Sequence, residues 1–290
     1  MRCVLGIAVL GCLLRTCAAV EPLDVWPGKA PGESTHSLGQ TLPFRQGEVP
    51  PVTRVIKITR PTFTVHLADK PNGSAVVILP GGGFGKVVPD KEGTEAAQWL
   101  NRHGVAAFVV SYRTSDGGDV PGWAKPLQDA QRTLALVRGQ AARWKIDPKR
   151  LGLVGFSAGG QVAARLLCAG GERTYPAVDQ YDQTSYRPDF ALLIYPWNIY
   201  DEKRRSLVAE IEVPSDCPPC FLVHTDDDRS SSLGAVLFYA ALKRHGINSA
   251  LHVYGNGGHG YGLREVAGSQ IASWPAHAAH WLGRQYGGQR

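Results

Sequence analysis

The chain has 290 residues, 43% of them hydrophobic and 19% charged, with a formal net charge of +6. That apolar share can fill one sizeable core and excludes a disordered or collagen-like chain. The basic residues are scattered, with no Lys/Arg block and no basic-aromatic stripe, so nucleic acid is excluded as an expected partner.

The first residues read as a secretory signal peptide over 1–19. Arg2 supplies the positive start, Val4 to Leu14 the short apolar run, and Cys17-Ala18-Ala19 the small-residue cleavage site, with cleavage after Ala18 or Ala19. A lipoprotein reading through Cys12 leaves too short an apolar run before the cysteine. No later segment approaches the length of a membrane span, so the mature chain is expected to be exported and free of the membrane. Cys3, Cys12 and Cys17 leave with the signal. The remaining Cys168, Cys217 and Cys220 are an odd number, which argues against a disulfide framework. C-P-P-C at 217–220 leads into the apolar run F-L-V-H. It reads as small buried side chains at a strand entrance, with a Cys217–Cys220 disulfide as the alternative.

Residues 20–50 are rich in proline and glycine and are expected to wrap the surface without regular structure. V-I-K-I (55–58) and F-T-V-H-L (63–67) alternate apolar and polar residues, the pattern of half-exposed antiparallel edge strands. A-V-V-I-L (75–79), V-A-A-F-V-V (105–110), L-G-L-V (151–154), F-A-L-L-I-Y (190–195) and F-L-V-H (221–224) are nearly continuous apolar runs, suited to strands covered on both faces. Helical spacing links Ala96, Trp99 and Leu100. It also links Leu127, Ala130, Leu134, Val137 and Ala141 behind Pro126, and Leu233, Val236, Leu237 and Ala240 before Gly246. A closing helix is predicted from Pro275, carrying Trp281 and Leu282 inward. Strands alternating with helices predict an α/β fold: a mostly parallel sheet with helices on both faces and no large cap domain. The polar stretch 171–188 is expected to be a flap over the sheet's edge.

The chemistry concentrates at the strand ends. G-F-S-A-G-G (155–160) fits the G-x-S-x-G elbow and has a strand before it and a helical pattern after it. Small residues there allow a strained turn that lifts the Ser157 hydroxyl clear at a helix N-terminus, where amides favour developing negative charge. A serine needs a base, an orienting carboxylate and an oxyanion hole. P-G-G-G-F-G (80–85) follows a strand, and its bare amides make Gly82 and Gly83 the loop donors, joined by Ala158 after the serine. A phosphate loop is the competing reading, but no G-K-[ST] follows. H-T-D-D-D-R (224–229) offers three carboxylates; the H-G-x-x-D register selects Asp228, with Asp227 the alternative. His259, in G-N-G-G-H-G-Y-G, is the expected base, whereas His252, His277 and His280 fall in a strand or the terminal helix. The order Ser157, Asp228, His259 is that of an α/β-hydrolase. No H-E-x-x-H cluster appears, so neither a metal nor another cofactor is expected.

On these residues the chain resembles the exported α/β-hydrolase esterases related to hormone-sensitive lipase and the acetylxylan/feruloyl-esterase-like group. Besides the serine elbow, the segments that carry the likeness are W-P-G-K-A-P-G near the start, D-K-E-G-T-E-A-A-Q-W-L-N (90–101), S-Y-R (111–113) and H-T-D-D-D-R. Two departures stand out: Pro80 replaces the usual histidine before the glycine run, and R-S-S-S follows Asp228 where relatives carry an apolar residue and a proline. The resemblance implies one α/β-hydrolase domain over 51–287 and hydrolysis of short-chain, chiefly acetyl, esters on a small-molecule or polysaccharide alcohol. Phe84, Trp123, Trp197 and Tyr261 are candidates either to stack on sugar rings or to pack. The competing readings are a prolyl-oligopeptidase-like peptidase and a non-catalytic carbohydrate-binding relative. The oligomeric state is left open.

Overall fold

The structure is a computed structural model that describes residues 21–286 except 116 and 119; the signal peptide expected over 1–19 lies outside the described residues. An eight-stranded sheet forms its centre. In chain order the strands are β1 (Leu23–Asp24), β2 (Thr62–His66), β3 (Ala75–Leu79), β4 (Ala106–Ser111), β5 (Leu151–Phe156), β6 (Ala191–Ile194), β7 (Cys220–Thr225) and β8 (Ala250–Tyr254). Across the sheet they run β1-β2-β4-β3-β5-β6-β7-β8. β1 and β2 pair antiparallel at one edge, and from β4 to β8 every pairing is parallel.

The unbroken apolar runs are explained by the period-2 alternation of strand side chains. Ala75, Val77 and Leu79 of β3, with Leu151 and Leu153 of β5 and Cys220 and Leu222 of β7, enter one core. Val76, Ile78, Val154, Phe156, Phe221 and Val223 enter the other. The first core is closed by α2 (Ala124–Gly139), α3 (Ala158–Cys168) and α4 (Leu233–Arg244), which bury Leu134, Val162 and Phe238. The second is closed by α1 (Glu95–Arg102) and α5 (Trp274–Tyr286), which bury Trp99, Leu100, Trp274 and Trp281. Each fully buried aliphatic or aromatic side chain contributes roughly 1.5–3 kcal/mol, so two filled faces fix the sheet firmly beneath the loops at its carboxyl edge.

Three expectations need correction. Residues 21–50 do more than wrap the surface: Leu23 and Asp24 extend the sheet, and Val25, Trp26 and Ala30 are buried in its first core. Trp26 donates its indole N–H to Asp129 on α2 (2.8 Å). Asp129 also accepts from the backbone and guanidinium of fully buried Arg113, so the segment is anchored by a satisfied polar network that composition does not reveal. V-I-K-I does not join the main sheet; Val55 and Ile56 pair with Gln40 and Thr41 in a separate ribbon. The stretch 171–188 packs on α2 rather than over the sheet's edge. Arg132 binds Asp182 (2.9 Å) and Asp179, Tyr181 lies against Gly139, and Asp182 forms a capping box with Asp179.

Cys168, Cys217 and Cys220 are free thiols, and Cys217 and Cys220 are buried where the chain enters β7. Burial pushes the Cys168 thiol up to about 12.

Candidate active site

Ser157 stands between the end of β5 and the start of α3, with φ at 53° and ψ at −118°. Its N–H donates to the carbonyl of Ile194 and its carbonyl accepts from Trp197 N–H, so the end of β6 and the residues just after it hold the turn. The small residues are required by close approach. A Cβ on Gly159 would lie 2.1 Å from the Leu79 carbonyl oxygen, and one on Gly155 would lie 2.5 Å from that of Gly159. α3 therefore begins directly against the end of β3, and its first amides border the serine.

The His259 loop and the Asp228 turn converge on this point from the far side. The Ser157 Oγ lies 2.6 Å from Nε2 of His259, and Nδ1 of His259 lies 2.6 Å from Oδ2 of Asp228. The Asp228 side chain is fully buried and that of His259 is 12% exposed. Oδ1 of Asp228 accepts from Ser230 N–H, and the Ser230 hydroxyl accepts from Asn198 N–H, so the R-S-S-S departure still orients the carboxylate. Asp227, the alternative carboxylate, points elsewhere: its two oxygens accept from Gly258 and Gly257 N–H (2.8 and 3.1 Å). These backbone donors hold its carboxyl below the usual range. Thr225 donates its hydroxyl to the Gly258 carbonyl (2.7 Å), which fixes the loop from a second side. His224 is buried behind Asp228, and burial lowers its pKa. His252 stacks on His277 away from the serine.

The glycine loop also closes on Ser157. A Cβ on Gly81 would meet Ser157 Cβ at 2.7 Å, and one on Gly82 would meet the Lys86 carbonyl oxygen at 2.1 Å. Gly82 and Gly83 both have positive φ, at 138° and 66°. The Gly81 N–H is occupied: it donates to Oε2 of Glu92 (2.7 Å). The expected oxyanion donors Gly82, Gly83 and Ala158 thus belong to the two backbone segments that border the hydroxyl.

Glu92 escaped the sequence reading. It lies in a π-helical turn, Asp90–Thr94, that leads into α1, and it is buried directly behind Gly81. Its Oε1 accepts from the Tyr195 hydroxyl (2.8 Å), whose oxygen accepts from Gly262 N–H (2.9 Å). Burial raises the Glu92 carboxyl above its usual range, against the opposing pull of the Tyr195 and Gly81 donors. Tyr195 has φ at 37°, and its ring meets His259 edge-on at 4.9 Å. One carboxylate therefore links the glycine loop to the histidine loop. One acidic residue among three in a polar stretch gives no local signal of such a position.

The four loop aromatics divide. Tyr261 is core, packed on Tyr195 at 4.4 Å; Trp123 and Phe84 are partly buried against the first core. Trp197 alone of the four has a ring contact with His259, at 5.0 Å. Among the described residues no group of three His, Cys, Asp or Glu side chains is placed to hold a metal ion, and no helix is long and apolar enough to cross a membrane.

Comparison with known proteins adds the family context. The BD-FAE family model matches residues 65–191. An acetylxylan esterase of Xylanibacter ruminicola is 28% identical over 221 residues, 68% of this chain and 43% of that protein. Endo-1,4-beta-xylanase B of Butyrivibrio fibrisolvens is 30% identical over 211 residues, 66% of this chain and 33% of that protein. The chain thus spans less than half the length of these curated relatives. Among solved structures, an acetyl ester-xyloside bifunctional hydrolase from Caldicellulosiruptor lactoaceticus superposes with a TM-score of 0.71 at 26% identity, covering 92% of this chain and 96% of that one.

Proposed function

We propose that the chain, which is similar to the α/β-hydrolase esterases of the acetylxylan-esterase-like group, is a serine carboxylesterase that removes short acyl groups, acetyl foremost, from carbohydrate alcohols. The observation that carries this reading is the unbroken row Ser157–His259–Asp228, each link 2.6 Å, beside a loop whose amides carry no side-chain bulk.

In this mechanism the Ser157 oxygen attacks the ester carbon while Nε2 of His259 takes its proton. Asp228 holds the Nδ1–H, which fixes the tautomer and stabilises the imidazolium. The amides of Gly82, Gly83 and Ala158 receive the oxyanion. Collapse of the tetrahedral adduct passes the proton from His259 to the departing alcohol oxygen and leaves Ser157 acylated. Water, deprotonated by His259, then cleaves the acyl-enzyme and releases the acid.

Two features support a carbohydrate alcohol and a short acyl group. The relatives named for xylan or xyloside chemistry match 66% to 92% of the chain. A groove of about 640 Å³ adjoins Gly85 on the glycine loop and is lined by polar side chains including Thr35, Ser37, Thr59 and Lys125. The expected signal peptide makes the enzyme exported, where such polymers are met.

The test is hydrolysis of 4-nitrophenyl acetate and octanoate, followed by acetate release from acetylated xylan. Acetate is expected to be turned over far faster than octanoate. Ser157→Ala is expected to lower kcat about 10⁶-fold, as loss of such a nucleophile does elsewhere. Preference for the octanoate would overturn the short-acyl assignment, and undiminished activity in Ser157→Ala would overturn the mechanism.

A further inference from the structure

The residue that follows Asp228 is a departure from the family's sequence pattern that the proposed chemistry does not use. Arg229 is exposed, and its guanidinium lies over the Trp197 ring, 4.8 Å from the centroid. Trp197 in turn meets the His259 imidazole edge-on at 5.0 Å. The positive charge is therefore held by a cation–π contact one ring away from the expected base.

A second cation belongs to the glycine loop. Lys86 lies under the glycine loop, its Cγ 3.1 Å from where a Gly82 Cβ would be. Partial burial pushes its amine below the usual range, and Arg45, Arg54 and Arg229 add to the push, so these cations share one field. Arg54 is neutralised by Glu48 at 2.5 Å, but among the described residues no carboxylate pairs with Lys86 or Arg229. The acids next in the chain are committed elsewhere: Asp228 to His259 and Asp227 to the loop amides. Two cations with no carboxylate partner among the described residues, one beside the glycine loop and one beside the histidine's ring neighbour, attract an anion and repel a cation.

We propose that Arg229, held by Trp197 and assisted by Lys86, binds a carboxylate on the alcohol part of the substrate, so that the preferred ester is an acetylated saccharide carrying a uronic acid. This rests on the esterase reading above and deepens it. The alcohol side is assigned because His259 hands its proton to the departing alcohol, and Trp197 and Arg229 are stacked outward from that imidazole. A guanidinium suits the role because it meets a planar carboxylate with two parallel N–H donors. One face of Trp197 lies under the guanidinium, so Trp197 positions the cation rather than offering both faces to sugar rings.

The experiment compares kcat/KM on an acetylated aldouronic xylo-oligosaccharide with that on the same compound after its carboxyl has been reduced to an alcohol. The acidic form is expected to be preferred about tenfold, the size of one hydrogen bond to a charged group at a wet site. In Arg229→Gln combined with Lys86→Gln the ratio is expected to fall towards one, and in wild type it is expected to shrink as salt is raised. Equal turnover of both forms by wild type, or a preference that survives in the double variant, overturns the proposal. A preference for 4-nitrophenyl hydrogen succinate over the acetate overturns the alcohol-side placement. Failure of folded wild type to hydrolyse 4-nitrophenyl acetate would sink the esterase reading itself, whereas good turnover without acid preference sinks the subsite alone.

Discussion

Replacing Glu92 with glutamine tests whether the buried carboxylate positions the site or merely fills space behind it. The carboxylate accepts two hydrogen bonds, from Gly81 N–H at one oxygen and the Tyr195 hydroxyl at the other. An amide has one acceptor oxygen. Gly81 N–H can only donate, so the amide oxygen must face it, and the NH₂ must face Tyr195. The Tyr195 oxygen already accepts from Gly262 N–H, so it can take the new donor, but its own O–H is left without an acceptor. Losing a buried bond to a charged acceptor is worth roughly 1.5–3 kcal/mol, or about 10–100-fold in a rate if the bond holds the reacting geometry. Glu92→Gln is therefore expected to lower kcat on 4-nitrophenyl acetate by about 10–100-fold at pH 8, with KM little changed.

Stability should move the other way. Burial raises the folded-state pKa of Glu92 above its ordinary value of 4.5. Stability from this group is then fully present below pH 4.5, where both states are protonated, and is lost as pH rises through the folded value. Glutamine has no such dependence. The melting temperature of the variant relative to wild type is therefore expected to rise with pH from 4.5 upward and then level off. Tyr195→Phe should lower kcat similarly, and the double variant should cost less than the sum, since both break one link. A variant that keeps its activity within about twofold, or whose activity loss tracks a lower melting temperature at pH 8, would refute the positioning role.

Asp228→Asn is expected to cut kcat about 10⁴-fold by favouring the wrong imidazole tautomer, whereas Asp227→Asn should cost far less; equal losses would reassign the carboxylate. Gly159→Ala places a Cβ 2.1 Å from the Leu79 carbonyl, so insoluble protein or a melting temperature lower by several degrees is expected, and a well-folded, active variant would contradict the packing at the elbow. Asp129→Ala strips the fully buried Arg113 of its nearest carboxylate, leaving Glu33 at 3.8 Å, and releases Trp26, with an expected loss of about 3–5 kcal/mol in urea unfolding; a loss under about 1 kcal/mol would mean that the N-terminal anchor is weak.

How far the sequence reveals this site depends on how locally each position is determined. The strand runs are legible because a strand covered on both faces must be apolar at every position, and β3 to β7 are covered in this way. The elbow is legible because its constraint is largely local: Gly155 must be small for the turn to close on Gly159 and Ala163 of the same chain segment, and Gly159 for it to close on the end of β3. His259 and Asp228 follow from that serine by chain order. Glu92 is different. Its burial arises only when Gly81, Tyr195 and Gly262, spread over 181 residues of chain, meet at one point, and before folding nothing marks it off from Glu95 three positions later. The same holds for Trp26 and Asp129, 103 residues apart, which turn a proline-rich segment into part of the core. Arg229 sits between these cases. As a departure from the family's pattern it is visible in the sequence, but its meaning depends on Trp197, which reaches it from the end of another strand. Residues that must fit their immediate neighbours are therefore readable in advance, and residues that join loops across the carboxyl edge are not.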